Sequence, residues 1–311
     1  MNRVNNILVI VDPTAQTHPS VEKAALLAKK WQSRIELFVC DTRASQEARA
    51  TTGIAEGEIR PPFCAKALLE SLAQPLRDEG IDVATETDCV DPLYEGLLAR
   101  IRRSTAELVV KDTHHHSILH RTLLSNTDWE LIRSSPVPLL LVKSTVWAGR
   151  PRIVATVDPG HSHDRGCMLD RDVLEHAAAF AERLQGELHV LNAFIPRSVA
   201  LAATVSDSAI VTTVSTEQIE LELRGRRDEI CALALEFGVA AANVHVEIGS
   251  ALDILPRMTE MLHADLILLG ALSRRAWRRL IIGSTAESVL ERLSCDAMII
   301  KPPDFAGLLA I

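Results

Sequence analysis

The sequence repeats itself, and this repeat most constrains what the chain can fold into. An apolar run that ends in Asp12-Pro13 recurs before Asp158-Pro159. The later part of each copy aligns without gaps at an offset of 158 residues, with matching pairs Leu108 and Leu266, Thr127 and Thr285, and Lys143 and Lys301. We therefore predict an internal duplication, in which the same supersecondary unit is built twice.

Each copy alternates short apolar runs with segments of helical periodicity, in the order β-α-β-α-β-α-β-α-β. Apolar runs of four to six residues are typical of strands buried on both faces of a parallel sheet. The pattern predicts an α/β fold with two tandem five-stranded parallel, doubly wound, Rossmann-like sheets. We expect one domain over residues 1–146 and a second over residues 150–311, joined by a linker near 144–150.

Composition excludes several functional classes. The net charge of −8 and pI near 5.8 argue against a general nucleic-acid binder, because the chain has no broad basic field. We find no signal peptide and no apolar stretch of membrane-spanning length, and the six cysteines form no CxxC pair. We expect a cytoplasmic protein without a disulfide framework or a zinc site.

The stretch from Asp265 to Lys301 is the strongest candidate for a ligand site. A buried strand ends at Gly270, and after a loop Gly283-Ser284 opens a helix. The N–H groups at a helix N-terminus favour an anion, and glycine lets a phosphate approach the backbone. The alternative needs no ligand: Ser284 with Glu287 forms a capping box, and the glycines serve turns.

Asp12 and Asp158 end the first strand of each copy. In an open parallel sheet, ligands bind beyond the carboxyl ends of the strands where the strand order reverses. Either carboxylate could therefore bond a ribose hydroxyl or an adenine amino group. Equally, Asp-Pro could only cap and turn the chain.

A strand ending in aspartate, a loop from Gly270 to Gly283-Ser284 and a last strand ending in Ile300-Lys301 together resemble the universal stress protein family. The resemblance covers both halves. The segments His114–His116, Asn126–Trp129 and Lys301-Pro302 are similar to one bacterial tandem subgroup. The resemblance implies an adenine nucleotide alpha hydrolase-like fold and a role in the stress response. It also implies an intramolecular pseudo-dimer, packed through the last strands, that could dimerise again.

In ATP-binding members of the family, the loop glycines and Ser/Thr hold the phosphates, and the first-strand aspartate holds the nucleoside. Carried over to the C-terminal half, the resemblance implies a site for ATP or a related adenine nucleotide at Asp158, Gly270, Ser273, Gly283, Ser284 and Thr285. Ser273 departs from the family pattern, because it replaces the second glycine and restricts the backbone there.

The N-terminal half departs further from the pattern. At the same offset Gly270 becomes Asp112, Ser273 becomes His115 and Gly283 becomes Ser125. An aspartate repels a phosphate unless a cation intervenes, so we predict that this half does not bind ATP. We expect Thr127 with Glu130 to form a capping box that preserves the helix.

Two clusters have open interpretations. His114, His115, His116 and His120 suggest a metal, but we favour a solvated loop. The arginines near Trp277 could contact a polyanion or form a solvated surface: Arg274, Arg275, Arg278 and Arg279.

We find no nucleophile–base pair and no P-loop lysine, so the sequence names no catalytic residue. The preferred hypothesis is a nucleotide-binding stress-response protein that acts through partner interactions. The alternatives are a scaffold without a nucleotide and a weak ATPase.

Overall fold

The computed structural model describes residues 4–41, 64–116, 121–159, 164–200, 215–270 and 284–302. Within these ranges the chain forms two compact units, one up to Ser144 and the other over Thr145–Pro302. No helix in the described ranges is long and apolar enough to span a membrane.

The first unit alternates strands and helices. Its strands are β1 (Asn6–Ile10), β2 (Arg34–Asp41), β3 (Val83–Cys89), β4 (Leu108–Asp112), β5 (His114–His116), β6 (Arg121–Leu123) and β7 (Leu139–Val142). Its helices are α1 (Pro19–Trp31), α2 (Ala65–Asp78), α3 (Leu93–Arg103) and α4 (Asn126–Ser134).

Parallel pairing builds a five-stranded sheet in the order β3-β2-β1-β4-β7. The central strand β1 lies between β2 and β4, with Ile7 opposite Ile35 on one side and Leu108 on the other. Strands β4 and β7 are buried along their whole length, as expected for strands covered by helices on both faces.

The second unit repeats this architecture. Its strands are β8 (Arg152–Thr156), β9 (Glu187–Phe194), β10 (Val244–Ile248), β11 (Leu266–Gly270) and β12 (Asp296–Ile300). Its helices are α5 (Asp164–Leu184), α6 (Thr216–Glu236), α7 (Ala251–Met261) and α8 (Ser284–Arg292), with a 3₁₀ turn at Ala241–Asn243. All its pairs are parallel, in the order β10-β9-β8-β11-β12.

In both sheets the strand order reverses beside the first strand. The chain builds outward from β1 to β3 on one side and then crosses to β4 and β7 on the other. Right-handed crossovers then place α1 and α2 on one face and α3 and α4 on the opposite face. Helices α3 and α4 pack against each other, and in the second unit α7 and α8 do the same. The predicted α/β class with two tandem parallel, doubly wound sheets is confirmed.

The histidine segment differs from the solvated loop that we favoured. His114–His116 and Arg121–Leu123 form a short antiparallel ladder directly after β4, with His115 opposite Thr122. The ladder pairs backbone N–H and C=O groups that a loop would leave to water. His120 lies outside the described residues.

Candidate functional site

The crevice of the second unit lies where β8 and β11 end side by side. Asp158 follows β8, and Gly270 is the last residue of β11. Because the two strands are parallel and paired, with Leu268 opposite Ala155, both residues lie at the same edge of the sheet. Ser284 and Thr285 begin α8, whereas Ser273 and Gly283 lie outside the described residues.

Three side chains fix the end of β8. Asp170, a buried residue of α5, accepts a hydrogen bond from the backbone N–H of Asp158 at 3.1 Å. The amide of Asn192 donates to the Val157 carbonyl at 2.8 Å. The Thr156 hydroxyl donates to the Leu268 carbonyl at 3.0 Å and ties β8 to β11. We did not predict these residues from the sequence, although Asn192 is a polar residue inside an apolar run.

Gly270 has a packing role that is independent of any ligand. A Cβ at this position would lie 2.8 Å from Leu169 Cδ2 and 3.0 Å from its Cγ. A larger residue at this position would therefore require the Leu169 side chain of α5 to move. This contact accounts for the glycine, so Gly270 alone is not evidence for a phosphate.

In the first unit, Asp112 occupies the position that aligns with Gly270 and contacts a helix N-terminus. Its carboxylate accepts hydrogen bonds from the Ser20 backbone N–H at 2.7 Å and from the Ser20 hydroxyl at 2.6 Å. Ser20 belongs to the first turn of α1, and the residue before this helix, His18, makes no side-chain cap. Asp112 thus satisfies an N–H group that the helix cannot satisfy itself.

The charge of Asp112 is unfavourable in this buried place. Burial raises the pKa of its carboxyl, and the two Ser20 hydrogen bonds oppose that shift. A carboxyl group of the protein itself thus lies at the end of β4, where the second unit has Gly270.

The N-terminus of α4 holds a second buried carboxylate. Asp128 accepts from the Ser125 backbone N–H and hydroxyl, each at 2.8 Å, while its own N–H donates to the Ser125 oxygen at 3.1 Å. The predicted capping box of Thr127 and Glu130 is therefore wrong, because the helix starts two residues earlier. The pattern Ser-x-x-Asp at Ser125 was the signal that we overlooked.

Lys111 pairs with this cap. Its ammonium lies 2.7 Å from Asp128 Oδ1, and both side chains are almost fully buried. It also donates to the Asp112 carbonyl at 3.0 Å. The pair joins the end of β4 to the start of α4.

The two units differ in charge at equivalent places. At the offset of 158 residues, Lys111, Asp112 and Asp128 correspond to Leu269, Gly270 and Ala286. Only the first unit supplies carboxylates at these positions.

Asp12 favours the ligand-free interpretation of its motif. Its carboxylate accepts from the Thr14 backbone N–H at 2.8 Å and from the Thr14 hydroxyl at 2.7 Å. This is a local turn in which aspartate caps the chain as it leaves β1.

The architecture and the sequence agree with one family model. The model of the universal stress protein family matches the chain twice, over residues 3–143 and 152–301. The chain belongs to the universal stress protein family.

Full-length relatives support the tandem assignment. Universal stress protein E of Photorhabdus laumondii is 23% identical over 312 residues, which cover 98% of this chain and 97% of the relative. Universal stress protein E of Escherichia coli K12 is 24% identical over 316 residues, covering 98% and 96%. A solved structure of a functionally unknown protein from Pseudomonas aeruginosa PAO1 is 26% identical, covers 98% of this chain and 95% of its own, and has a TM-score of 0.76. The resemblance to a bacterial tandem subgroup is confirmed.

Lys301 lies at the same edge of the sheet as Gly270 in this universal stress protein. Gly270 pairs with Ile300, and Lys301 follows directly. Burial lowers the pKa of Lys301 to about 7, so its charged and neutral forms coexist near neutral pH.

The remaining candidates from the sequence lie outside the described residues: Trp277, Arg274, Arg275, Arg278 and Arg279. Within the described ranges, no group of three or more His, Cys, Asp or Glu side chains is arranged to hold a metal ion.

Proposed function

We propose that this universal stress protein is a cytoplasmic stress-response protein that binds ATP or a related adenine nucleotide in its C-terminal half. Binding would change its interactions with partners, without a dedicated catalytic step. The observation that carries the proposal is the contrast in charge between the two crevices. The first holds Asp112 and Asp128, where the second has Gly270 and Ala286.

The difference in charge between the two crevices should affect the binding of an anionic ligand. A helix N-terminus attracts anions through its unsatisfied N–H groups and its dipole. In the first unit, protein carboxylates already bond the N–H of Ser20 in the first turn of α1 and the N–H of Ser125, the residue that precedes α4. A phosphate there would meet the Asp112 carboxylate in a poorly solvated place, whereas the charge of Asp128 is paired with Lys111. At the aligned positions the second unit has uncharged, small residues.

The roles of the site residues follow from their places along the crevice. We propose that Gly270, Ser273, Gly283, Ser284 and Thr285 hold the phosphates and that Asp158 holds the ribose. The backbone of Asp158 is fixed by Asp170, and α8 begins at Ser284, which suits both roles. In this proposal the domain of residues 150–311 carries the site, and the domain of residues 1–146 does not.

Isothermal titration calorimetry with ATP and Mg²⁺ tests the proposal on the full chain. We expect one ATP per chain. Ala286→Asp places a carboxylate at the third position of α8, as Asp128 stands in α4, and should weaken binding by about tenfold or more. Ala286→Asn is the matched uncharged control and should lose much less.

Two results would contradict the proposal. Absence of heat and of any nucleotide in native mass spectra of the purified chain would favour the scaffold. Phosphate release that persists at constant specific rate through repurification would favour an ATPase.

A further inference from the structure

Asn192 is a buried polar residue whose amide oxygen has no hydrogen-bond partner among the described residues. It lies near the end of β9 and is 0% exposed. Its Nδ2 donates to the Val157 carbonyl at 2.8 Å. Its Oδ1 is also buried, and no group in the described part of the chain hydrogen-bonds it.

The fold itself does not need an amide here. Arg34 of β2 is opposite Asn6, and Glu187 of β9 is opposite Arg152, so the two second strands correspond at an offset of 153. This register places Val39 at the position of Asn192, and Val39 is equally buried. The first unit thus fills the same place with a hydrocarbon side chain, and in the second the orphaned oxygen is a cost to folding.

The position of Asn192 is the right one for a base. Val157 immediately precedes Asp158, so Asn192 lies beside the first-strand aspartate at the carboxyl edge. Strands β9, β8 and β11 are consecutive neighbours, so β9 is two strand spacings, about 10 Å, from β11. A nucleotide with its phosphates at α8 and its ribose at Asp158 would extend its base toward β9.

We propose that Asn192 Oδ1 reads the base by accepting a hydrogen bond from the exocyclic amino group of adenine. The proposal rests on the proposed nucleotide site. The carbonyl of Val157 is an acceptor only, so the amide must present its Nδ2 to it and its oxygen to the other side. Because this acceptor is already dry in the ligand-free protein, a base that offers an N–H gains a hydrogen bond, and a base without one does not.

Calorimetry with two nucleotides tests this assignment. ATP carries the exocyclic amino group, and purine riboside triphosphate lacks it. We expect the wild type to bind ATP roughly tenfold more tightly, the effect of one buried hydrogen bond. Asn192→Val, which copies the first unit, should bind both nucleotides with equal, weaker affinity.

The melting temperature of Asn192→Val is a second measurement, and it does not depend on nucleotide binding. Without nucleotide, the melting temperature of Asn192→Val should stay close to that of the wild type, because loss of the hydrogen bond to the Val157 carbonyl is offset by removal of a buried unsatisfied oxygen. Asn243→Ala is the control, since the Asn243 amide also bonds a backbone carbonyl, that of Leu188 at 3.2 Å, but near the amino ends of the strands. It should keep the preference for ATP.

The outcomes separate this proposal from the one it rests on. A wild type that binds neither nucleotide contradicts the nucleotide site itself. A wild type that binds both equally, or a valine variant that keeps the preference, overturns the role of Asn192 and leaves the site standing. If valine prevents folding, Asn192→Ala removes the same oxygen without added bulk, and the wild-type comparison needs no variant.

Discussion

The buried pair of Lys111 and Asp128 should make the first unit sensitive to loss of either charge. Asp128→Ala removes a carboxylate 2.7 Å from the Lys111 ammonium and the cap that bonds Ser125. Removing one partner of a buried ion pair typically costs about 3–5 kcal/mol, because the other charge stays buried. Lys111→Leu removes the ammonium group beside Asp128. The carboxylate then keeps its hydrogen bonds from Ser125 but loses its opposite charge, which should cost about 2–4 kcal/mol of stability.

The second unit supplies the template for the double variant. Leu269 and Ala286 stand at the aligned positions, so Lys111→Leu with Asp128→Ala converts the first unit to the chemistry of the second. We expect the double variant to lose only about 2–4 kcal/mol, less than the sum of the single losses, because no buried charge remains unpaired. The coupling energy, the sum of the two single losses minus the loss of the double variant, should therefore be about 3–5 kcal/mol.

Hydrogen exchange with mass spectrometry measures this cycle locally. Peptides from β4 and α4 report opening of the first unit, so unfolding of the second unit does not enter the result. Glu130→Ala is the control on the same helix, because Glu130 pairs with Arg133 at 3.1 Å in a partly exposed place and should cost less than about 1 kcal/mol. Single effects that add, or an Asp128→Ala loss no larger than the control, would refute the reasoning.

Three further predictions concern the second unit. Gly270→Ala should lower the stability of the second unit by about 1–3 kcal/mol in thermal unfolding, through overpacking against Leu169. Adding Leu169→Ala should relieve part of this loss. A loss that the second substitution does not change would exclude the packing role. Trp147→Phe removes the 2.8 Å hydrogen bond to buried Asp296 and should cost about 1–3 kcal/mol in urea unfolding; an unchanged midpoint would contradict it. Because the pKa of Lys301 is lowered to about 7, the unfolded chain takes up this proton at higher pH than the folded one, and stability should fall as pH is lowered toward 7. Lys301→Met should remove up to about 2 kcal/mol of that pH dependence between about pH 7 and 9, whereas parallel curves would rule it out.

Some parts of the site could be predicted from sequence, and others could not. The place of Asp158 and Gly270 followed from the order of apolar runs, because parallel strands bring their carboxyl ends to one edge. The cap of α4 was missed by two residues, since Thr127 with Glu130 and Ser125 with Asp128 both fit the pattern of a capping box. The cap that forms includes Asp128, which pairs with Lys111 of strand β4, a contact that the local pattern does not contain.

The sequence by itself determined the duplication, the two parallel sheets and the loss of glycine from the first crevice, because these are matters of local periodicity and residue identity. The tertiary structure alone decided what the polar side chains do. Asp112 caps a helix that begins 93 residues earlier, Gly270 makes room for Leu169, and Asn192 keeps an oxygen without a partner in the described chain. Hydrogen bonds and close contacts of this kind depend on which distant segments the topology brings together, and no local pattern records that.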